Sequence, residues 1–430
     1  MGNSTPSQQS LLYTQLITHS DQLNGDKLIQ YQQMAALIQS MINKLKAAID
    51  CIKSRMTSDD VRPVNDSLKK VLLKFDMVSF QHITSIGYII QQLCRVACNS
   101  VTITNGELLP LGIAIYPMLS SINHSCDPNS VLVFTSGYTH QTTVSLRSIR
   151  EVSADEQITI PYIDIGNSTI NRRNELLTQY YFTCYCSRCI EYDSSIDTQT
   201  RELRMTSYKC NDDTCLGTLQ LNKTDNVFQC NICHTKQGDA ELNSLTNKIN
   251  SLSIQHNNTT NIHDQSIALN KKSVLALVPY IDVNYNITLL RLLNSLSRDS
   301  IQCEYWNDAL IYHTAELRIM NHVYPSEIHP VIGIQHFLIA KLCWLLMKTD
   351  CAVQHWRIAR SILIITHGPS HSLLDSIDVS IQEAYHEVEY KAEQYDTINV
   401  NKLNIEYTYN VSDDKLLTQQ LIALCSTNAS

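Results

Sequence analysis

The feature that most constrains the fold of this chain is the crowding of cysteines near its middle. Seven of the 15 cysteines in 430 residues fall between positions 184 and 233. In a short secreted chain such a set would predict disulfides, but the spacing here is that of metal ligands and favours zinc inside a cell. These residues are Cys184, Cys186, Cys189, Cys210, Cys215, Cys230 and Cys233.

The first group, in the sequence CYCSRC, supplies three thiolates at Cys184, Cys186 and Cys189. A closed tetrahedral zinc site needs four ligands, so one ligand must come from another part of the chain. Cys126 is a candidate, because a shared zinc would fasten two distant segments to each other. The residues leave one alternative open, which is that Cys126 is an ordinary buried thiol.

The second group has the layout of a zinc ribbon. Two pairs of cysteines flank the segment TLQLNKTDNVFQ, which is typical of a β-hairpin between two metal-binding turns. A site closed by four thiolates has no open position for chemistry, so this zinc is expected to be structural. Its ligands are Cys210, Cys215, Cys230 and Cys233.

The pattern of apolar residues divides the chain into five predicted regions. Helical spacing of three and four residues covers 1–98, and short β-prone runs such as VTIT, VLVF and QITIPYI cover 99–165. A helix that leads into the first cysteine group covers 166–195, with Ser168 as its expected cap. The ribbon follows at 196–245, and helical segments that resemble stacked pairs cover 246–430.

Composition limits the partners and the compartment. The formal charge is −8, from 41 acidic and 33 basic residues, which argues against direct nucleic-acid binding and favours a basic peptide. No apolar run approaches the roughly 20 residues of a membrane span, and the N-terminus MGNSTPSQQS lacks the regions of a signal peptide. We therefore expect the protein in the cytoplasm and nucleus, without membrane contact.

Three ordered motifs, INHSCDPN, EQITIPYID and QYYFTCYCSRC, resemble the core of SET-domain lysine methyltransferases, most closely the SET and MYND (SMYD) family. The resemblance also includes LITHSDQL and LIITHGPSH and covers most of the chain. It implies an α+β protein. Its parts would be an irregular β SET core with a helical insert, a post-SET zinc site, a zinc-ribbon-like module and a C-terminal helical repeat domain similar to tetratricopeptide repeats.

The resemblance also implies roles for individual residues. Tyr162 matches the central active-site tyrosine and a cofactor contact, and Tyr180 matches a second tyrosine of the lysine channel. Cys126 matches the fourth ligand of the post-SET zinc. S-adenosylmethionine and two structural zinc ions are the implied cofactors. The remaining positions that match cofactor contacts are His19, Asn99, Asn123, His124 and Phe182.

These residue types suit methyl transfer from a sulfonium to a lysine amine. The reaction is an in-line displacement, so catalysis depends on alignment and on delivery of a neutral amine. A free lysine has a pKa of about 10.4, and an apolar channel disfavours its charged form. Tyrosine rings can line such a channel without adding charge, although a single tyrosine is more often a half-buried packing residue.

The chain departs from the family at its start. The resemblance implies a SET strand and a MYND zinc finger before the helical insert, and residues 1–12 contain neither. We expect an open sheet edge as a result. Three explanations remain open: a shortened isoform or incomplete gene sequence, a partner that covers the position of this strand, or loss of activity.

The sequence therefore predicts a protein-lysine N-methyltransferase that acts on a histone or another protein. The alternative is a catalytically weak or inactive SET scaffold that binds proteins through its helical C-terminal region. Zinc-dependent hydrolysis fits poorly, because all apparent metal ligands are thiolates in closed sets.

Overall fold

A computed structural model describes residues 27, 30–35, 38, 86–136, 142–212, 214–215, 217–222, 227–237, 263–395 and 414–426. The chain forms two compact units. Unit 1 contains residues 1–103, 112–122 and 176–182, and unit 2 contains 104–111, 123–175 and 183–430. The predicted His19 lies outside the described residues.

The described part of unit 1 contains a helix and most of a two-stranded β-sheet. The helix α1 covers Ile86–Asn99 and continues directly into strand β1, Ser100–Thr104, which pairs with β2, Pro110–Ile115. Cys94 on α1 is almost fully buried, as is Ala35 in the helical stretch 30–35. The apolar spacing of IGYIIQQLCRVACN explains why one side of α1 packs inwards.

The β-strands of unit 2 are short and position the polar motif INHSCDPN. Strand β3, Asn123–His124, pairs in parallel with β6, Thr159–Ile160, so that His124 lies opposite Ile160. Strands β4, Ser130–Ser136, and β5, Thr142–Ser148, form an antiparallel hairpin. Among the described residues, β3 pairs with no strand other than β6.

Three helices and a four-stranded sheet follow along the chain. Ser168 accepts a hydrogen bond from the backbone N–H of Asn171 at 3.4 Å, as expected for a helix cap. The sheet has the strand order β10-β9-β8-β7. The elements are α2 (Thr169–Tyr180), α3 (Ser187–Ser194), α4 (Ile196–Thr206), β7 (Tyr208–Lys209), β8 (Thr218–Asn222), β9 (Val227–Cys230) and β10 (Lys236–Gln237).

The rest of unit 2 is helical, and consecutive helices pack against one another. Asn286 caps α6 by accepting a hydrogen bond from Leu289 N at 2.9 Å, and Pro330 opens α8, where its missing N–H has no cost. The helices are α5 (His263–Leu277), α6 (Ile287–Gln302), α7 (Trp306–Val323), α8 (Pro330–Leu345), α9 (Thr349–Thr366), α10 (Ser372–Tyr395) and α11 (Asp414–Ser426).

Two apolar cores hold these helices together. One joins α5, α6, α7 and α11 around Leu293, and the other joins α8, α9 and α10 around Trp356. Hydrogen bonds also tie the helices to the β region of the same unit. His367 Nε2 donates to the carbonyl of Gly106 at 3.1 Å, and Arg147 Nε donates to that of Ile365 at 3.2 Å.

The predicted α+β class is confirmed, with small sheets and a helical C-terminal part. The five domain boundaries and the likeness to tetratricopeptide repeats stay predictions. No helix in the described ranges combines the length and apolarity needed to cross a bilayer.

Candidate zinc and cofactor site

The structure brings Cys126 together with the three cysteines of CYCSRC. Its Sγ lies 4.0 Å from that of Cys184 and 3.7 Å from that of Cys189. The four Sγ atoms, with Cys186, all lie within 4.8 Å of one another. Cys126 and Cys189 have no exposed surface, so the cluster is enclosed by protein. We call these four residues the knuckle cluster.

The backbone around the knuckle cluster explains this convergence. Helix α3 begins immediately after Cys186, whose carbonyl accepts the first helical hydrogen bonds from Cys189 and Ile190, both at 3.0 Å. The N–H of Cys126 points at the sulfur of Cys186, 3.4 Å away. A backbone N–H aimed at sulfur stabilises a thiolate, which is the form that binds a metal.

The thiols of the knuckle cluster are also coupled to one another. Hydrogen bonding with Cys126 lowers the pKa of Cys186 to about 5 and also lowers that of Cys184. The same contact with Cys184 raises the pKa of Cys126. The cluster therefore holds negative charge at neutral pH, and a cation at its centre would stabilise all four thiolates together.

Three arginines surround this charge. Arg173 Nε donates to the carbonyl of Cys184 at 3.1 Å, and Arg188 Nη1 donates to that of Cys126 at 3.2 Å. Arg172 is fully buried, and although burial lowers its pKa, the charges of Cys126 and Glu202 raise it overall. Four thiolates around Zn²⁺ leave a double negative charge, which these guanidinium groups offset.

His124 connects the knuckle cluster to Tyr162. Its Nδ1 accepts a hydrogen bond from the backbone N–H of Tyr162 at 3.0 Å, so the ring proton must lie on Nε2. Nε2 is 3.3 Å from the sulfur of Cys126 and donates to it. The ring centroids of His124 and Tyr162 are 5.4 Å apart, and burial raises the pKa of Tyr162, which keeps its hydroxyl neutral.

Asn129, which sequence reasoning did not single out, lies just before β4 and fastens the start of that strand to β6 and to the segment that precedes β6. It is fully buried, and its Nδ2 donates to Glu156 and to the carbonyl of Gln157, both at 2.9 Å. Its Oδ1 accepts from the N–H of Thr159 at 2.9 Å. The only signal in the sequence was its place in the motif INHSCDPNS.

Three other predicted site residues, Asn99, Tyr180 and Phe182, belong to unit 1. Asn99 ends α1 and donates through Nδ2 to the carbonyl of Arg95 at 2.9 Å. Tyr180 accepts a hydrogen bond from Gln179 Nε2 at 3.4 Å, and Phe182 is half-buried. In unit 2, Asn123 is exposed on β3. The structure thus joins His124, Tyr162 and the knuckle cluster in one hydrogen-bonded group.

The second cysteine group also converges, and we call it the ribbon cluster. The Sγ atoms of Cys210 and Cys233 are 3.5 Å apart, and those of Cys215 and Cys230 are 3.7 Å apart. Gly217 passes so close that a Cβ at its position would lie 2.3 Å from the sulfur of Cys230. Only glycine fits there without moving a ligand.

Both clusters fit zinc. Bonds of about 2.3 Å at tetrahedral angles place the sulfurs about 3.8 Å apart. The measured separations of 3.7 and 4.0 Å in the knuckle cluster, and of 3.5 and 3.7 Å in the ribbon cluster, are close to this value. All eight ligands are thiols, which zinc prefers in closed structural sites.

Residues 15–163 match the SET domain family model. The chain is 28% identical to histone-lysine N-methyltransferase ASHR1 of Arabidopsis thaliana over 87% of its own length and 69% of that protein. It is 27% identical to histone-lysine N-methyltransferase SMYD3 of Homo sapiens over 68% of this chain and 58% of the relative. Human N-lysine methyltransferase SMYD2 is 32% identical over 30% of each chain.

Strands β1 to β6 and Cys126 therefore lie in a segment that matches the SET domain. The chain is also similar to the SMYD3 proteins over about two thirds of its length, and to SMYD2 over a shorter stretch. The chain spans about three fifths of the length of the SMYD3 proteins it matches.

Proposed function

We propose that this chain is a protein-lysine N-methyltransferase that uses S-adenosylmethionine and modifies a histone or another protein. The observation that carries the proposal is the bonded series Tyr162, His124 and Cys126 within a chain segment that matches the SET domain. The relatives named as lysine methyltransferases support it. We also propose the cytoplasm and nucleus as its location, because clustered thiols that bind zinc suit a reducing compartment.

The residues of unit 2 suit a polar cofactor. Both ring nitrogens of His124 are already engaged with Tyr162 and Cys126, so the ring itself is a fixed wall. The exposed amide of Asn123 and the backbone of β3 offer donors and acceptors for the amino, carboxylate and hydroxyl groups of a nucleoside. S-adenosylmethionine, when bound, supplies an activated methyl group. The predicted cofactor contacts of Asn99 and Phe182, which belong to unit 1, stay predictions.

Tyr162 is the proposed catalytic residue of unit 2. Its ring is partly buried and contacts that of His124, which also accepts a hydrogen bond from its backbone N–H. A neutral hydroxyl can orient an incoming amine without offering it a counterion, which favours the uncharged nucleophile. Tyr180 is the proposed second channel residue.

Zinc has a structural part in this proposal. The knuckle cluster would hold one ion through Cys126, Cys184, Cys186 and Cys189, and the ribbon cluster would hold a second. Because Cys126 bonds to His124, the first ion would fix the strand that carries Asn123.

The test is a calorimetric titration of the zinc-loaded full chain with S-adenosylmethionine, followed by transfer of a tritiated methyl group to core histones and to a protein lysate. We expect micromolar binding and label on lysine. Absence of heat at high micromolar cofactor would refute the proposal. Binding without transfer to any protein would instead favour the scaffold, whose helical region is large enough to present a separate docking surface.

A further inference from the structure

Two free thiols meet at the hairpin between α8 and α9. Cys343 lies in the last turn of α8 and Cys351 in the first turn of α9, and their sulfurs are 3.1 Å apart. The Cys343 thiol donates its hydrogen to the sulfur of Cys351. The segment between the helices is tight, since Lys348 N donates to the carbonyl of Cys343 at 2.8 Å. The two sulfurs are thus held together by the backbone.

The two thiols differ in exposure and in charge. Cys343 has no exposed surface and belongs to the apolar core, whereas Cys351 is partly exposed. Hydrogen bonds from Cys343 and His355 lower the pKa of Cys351 to about 5, and its place in the first turn of α9 acts in the same direction. Hydrogen bonding to Cys351 raises the pKa of Cys343. Cys351 is therefore an accessible thiolate beside a buried thiol.

A metal site does not account for this pair. His336 and His355 lie next to it, with their Nδ1 atoms 2.8 Å apart. However, within the described part of the chain, the only groups of three or more ligand atoms that converge are the knuckle and ribbon clusters. The chemistry available to Cys343 and Cys351 is that of two neighbouring sulfurs.

We propose that Cys343 and Cys351 form a redox modification site, in which a peroxide oxidises Cys351 and Cys343 then closes a reversible disulfide. In the first step the thiolate of Cys351 attacks one peroxide oxygen, the O–O bond breaks, and a sulfenic acid and hydroxide form. In the second step the sulfur of Cys343 attacks the sulfur of Cys351. Water leaves with the proton of Cys343, and a cellular thiol reduces the disulfide later.

The disulfide between Cys343 and Cys351 would link α8 covalently to α9 at the turn that joins them. Forming it requires the sulfurs to approach from 3.1 Å to about 2.05 Å, a movement that small rotations of two side chains can supply. Trp344 follows Cys343, and its ring lies 5.7 Å from that of Trp356. We therefore expect the tryptophan fluorescence to report the change. This inference does not depend on methyl transfer.

The test uses the zinc-loaded full chain and limiting hydrogen peroxide, followed by alkylation with N-ethylmaleimide and digestion with trypsin. Cleavage after Lys341, Lys348 and Arg357 separates the two cysteines into the peptides LCWLLMK and TDCAVQHWR. We expect these peptides to be linked, with a mass two hydrogens below their sum, and to separate on reduction. The zinc content of the same sample shows whether the clustered cysteines have reacted.

Variants assign the roles of the two sulfurs. In Cys343→Ser, dimedone should capture a sulfenic acid on Cys351, and in Cys351→Ser, Cys343 should stay reduced. Cys425→Ser, at another buried cysteine, is the matched control and should leave the linked peptides unchanged. Failure to find them at a dose that retains zinc would overturn the proposal without any variant. Equal oxidation of Cys343 in Cys351→Ser would do the same.

Discussion

The Nε2 atom of His124 lies 3.3 Å from the sulfur of Cys126. The partner of the other ring nitrogen, the N–H of Tyr162, fixes the direction of this bond, because that nitrogen can only accept. A ligand of the proposed zinc and a proposed catalytic residue are therefore joined by one imidazole.

Replacing His124 with Phe should loosen the metal. The change removes the hydrogen bond to Cys126 and leaves the N–H of Tyr162 without its acceptor. Loss of such outer partners lowers metal affinity by about 10- to 100-fold. We expect zinc transfer to a chromogenic chelator to accelerate by about tenfold or more for one of two ions. His386→Phe, at an exposed position on α10, should release zinc at the unmodified rate.

Replacing Tyr162 with Phe should separate chemistry from binding. The hydroxyl that orients the amine is lost, while the ring contact with His124 remains. If the proposed function holds, turnover should fall by about 100-fold or more while the Kd for S-adenosylmethionine changes little. Tyr185→Phe, at a tyrosine that is 69% exposed, is the control. Equal losses of turnover and cofactor affinity would contradict the assigned role.

Replacing Gly217 with Ala should empty the ribbon cluster alone. The added Cβ would lie 2.3 Å from the sulfur of Cys230 and 3.2 Å from that of Cys215, so the ligands must move. Elemental analysis should give about one zinc per chain, compared with about two before the change. Gly112→Ala provides the comparison, because its Cβ would meet nothing within 4 Å. Retention of two ions by Gly217→Ala would contradict this account.

Replacing Glu202 with Gln should destabilise the protein strongly. Glu202 is buried, accepts from the N–H of Thr169 at 2.6 Å, and pairs with fully buried Arg172 at 3.7 Å. Glu202 and Cys126 are the two negative groups that act on this guanidinium, and removing the charge of one partner of a buried pair costs about 3 to 5 kcal/mol of unfolding free energy. Denaturant unfolding measures the loss. Asp378→Asn disrupts the half-exposed pair with Arg360 and should cost less than about 1 kcal/mol.

Acid should destabilise the helical region of unit 2 before it protonates most carboxylates. Burial lowers the pKa of His329 and His367 to about 4 and that of His336 to about 3. Unfolded histidines titrate near 6.5, so between pH 6.5 and about 4 the unfolded state binds more protons. The free energy of unfolding therefore falls as the pH falls through this window, by up to about 1.4 kcal/mol per pH unit for each histidine.

Urea unfolding between pH 7.5 and 4.5 checks the pH dependence. His336→Gln should reduce the slope by about one proton, because it removes one of the three groups. Exposed His386→Gln should leave the slope unchanged. A flat profile in the unmodified protein would contradict the assignment of these histidines as neutral.

Features that depend on residues close together along the chain could be predicted from the sequence. The ribbon cysteines are close along the chain, so their spacing alone predicts one shared site, and the strand and helix periods predict the α+β class. The place of Cys126 required the family resemblance, since 58 residues separate it from Cys184. The tautomer of His124 and the role of Asn129 depend on backbone groups that no residue pattern specifies.

The hydrogen bonds of Arg188 could not be predicted from the sequence. Its guanidinium donates to the carbonyls of Cys126, Ile165 and Val323 at 3.2, 2.8 and 3.0 Å. Nothing in CYCSRC indicates a partner at position 323, because a carbonyl acceptor leaves no trace in the residue type. Long-range pairing of this kind is visible only in three dimensions.

The bond between Arg188 and Val323 also sets an order of events during synthesis. The acceptor is made 135 residues after the donor, which corresponds to roughly seven to twenty-seven seconds on a ribosome. During that interval a nascent chain could already capture its metal and bond Arg188 Nη1 to Cys126 and Ile165, while Nη2 would still lack its Val323 acceptor. The hydrogen bonds around the knuckle cluster are therefore complete only after α7, which is translated later, has formed.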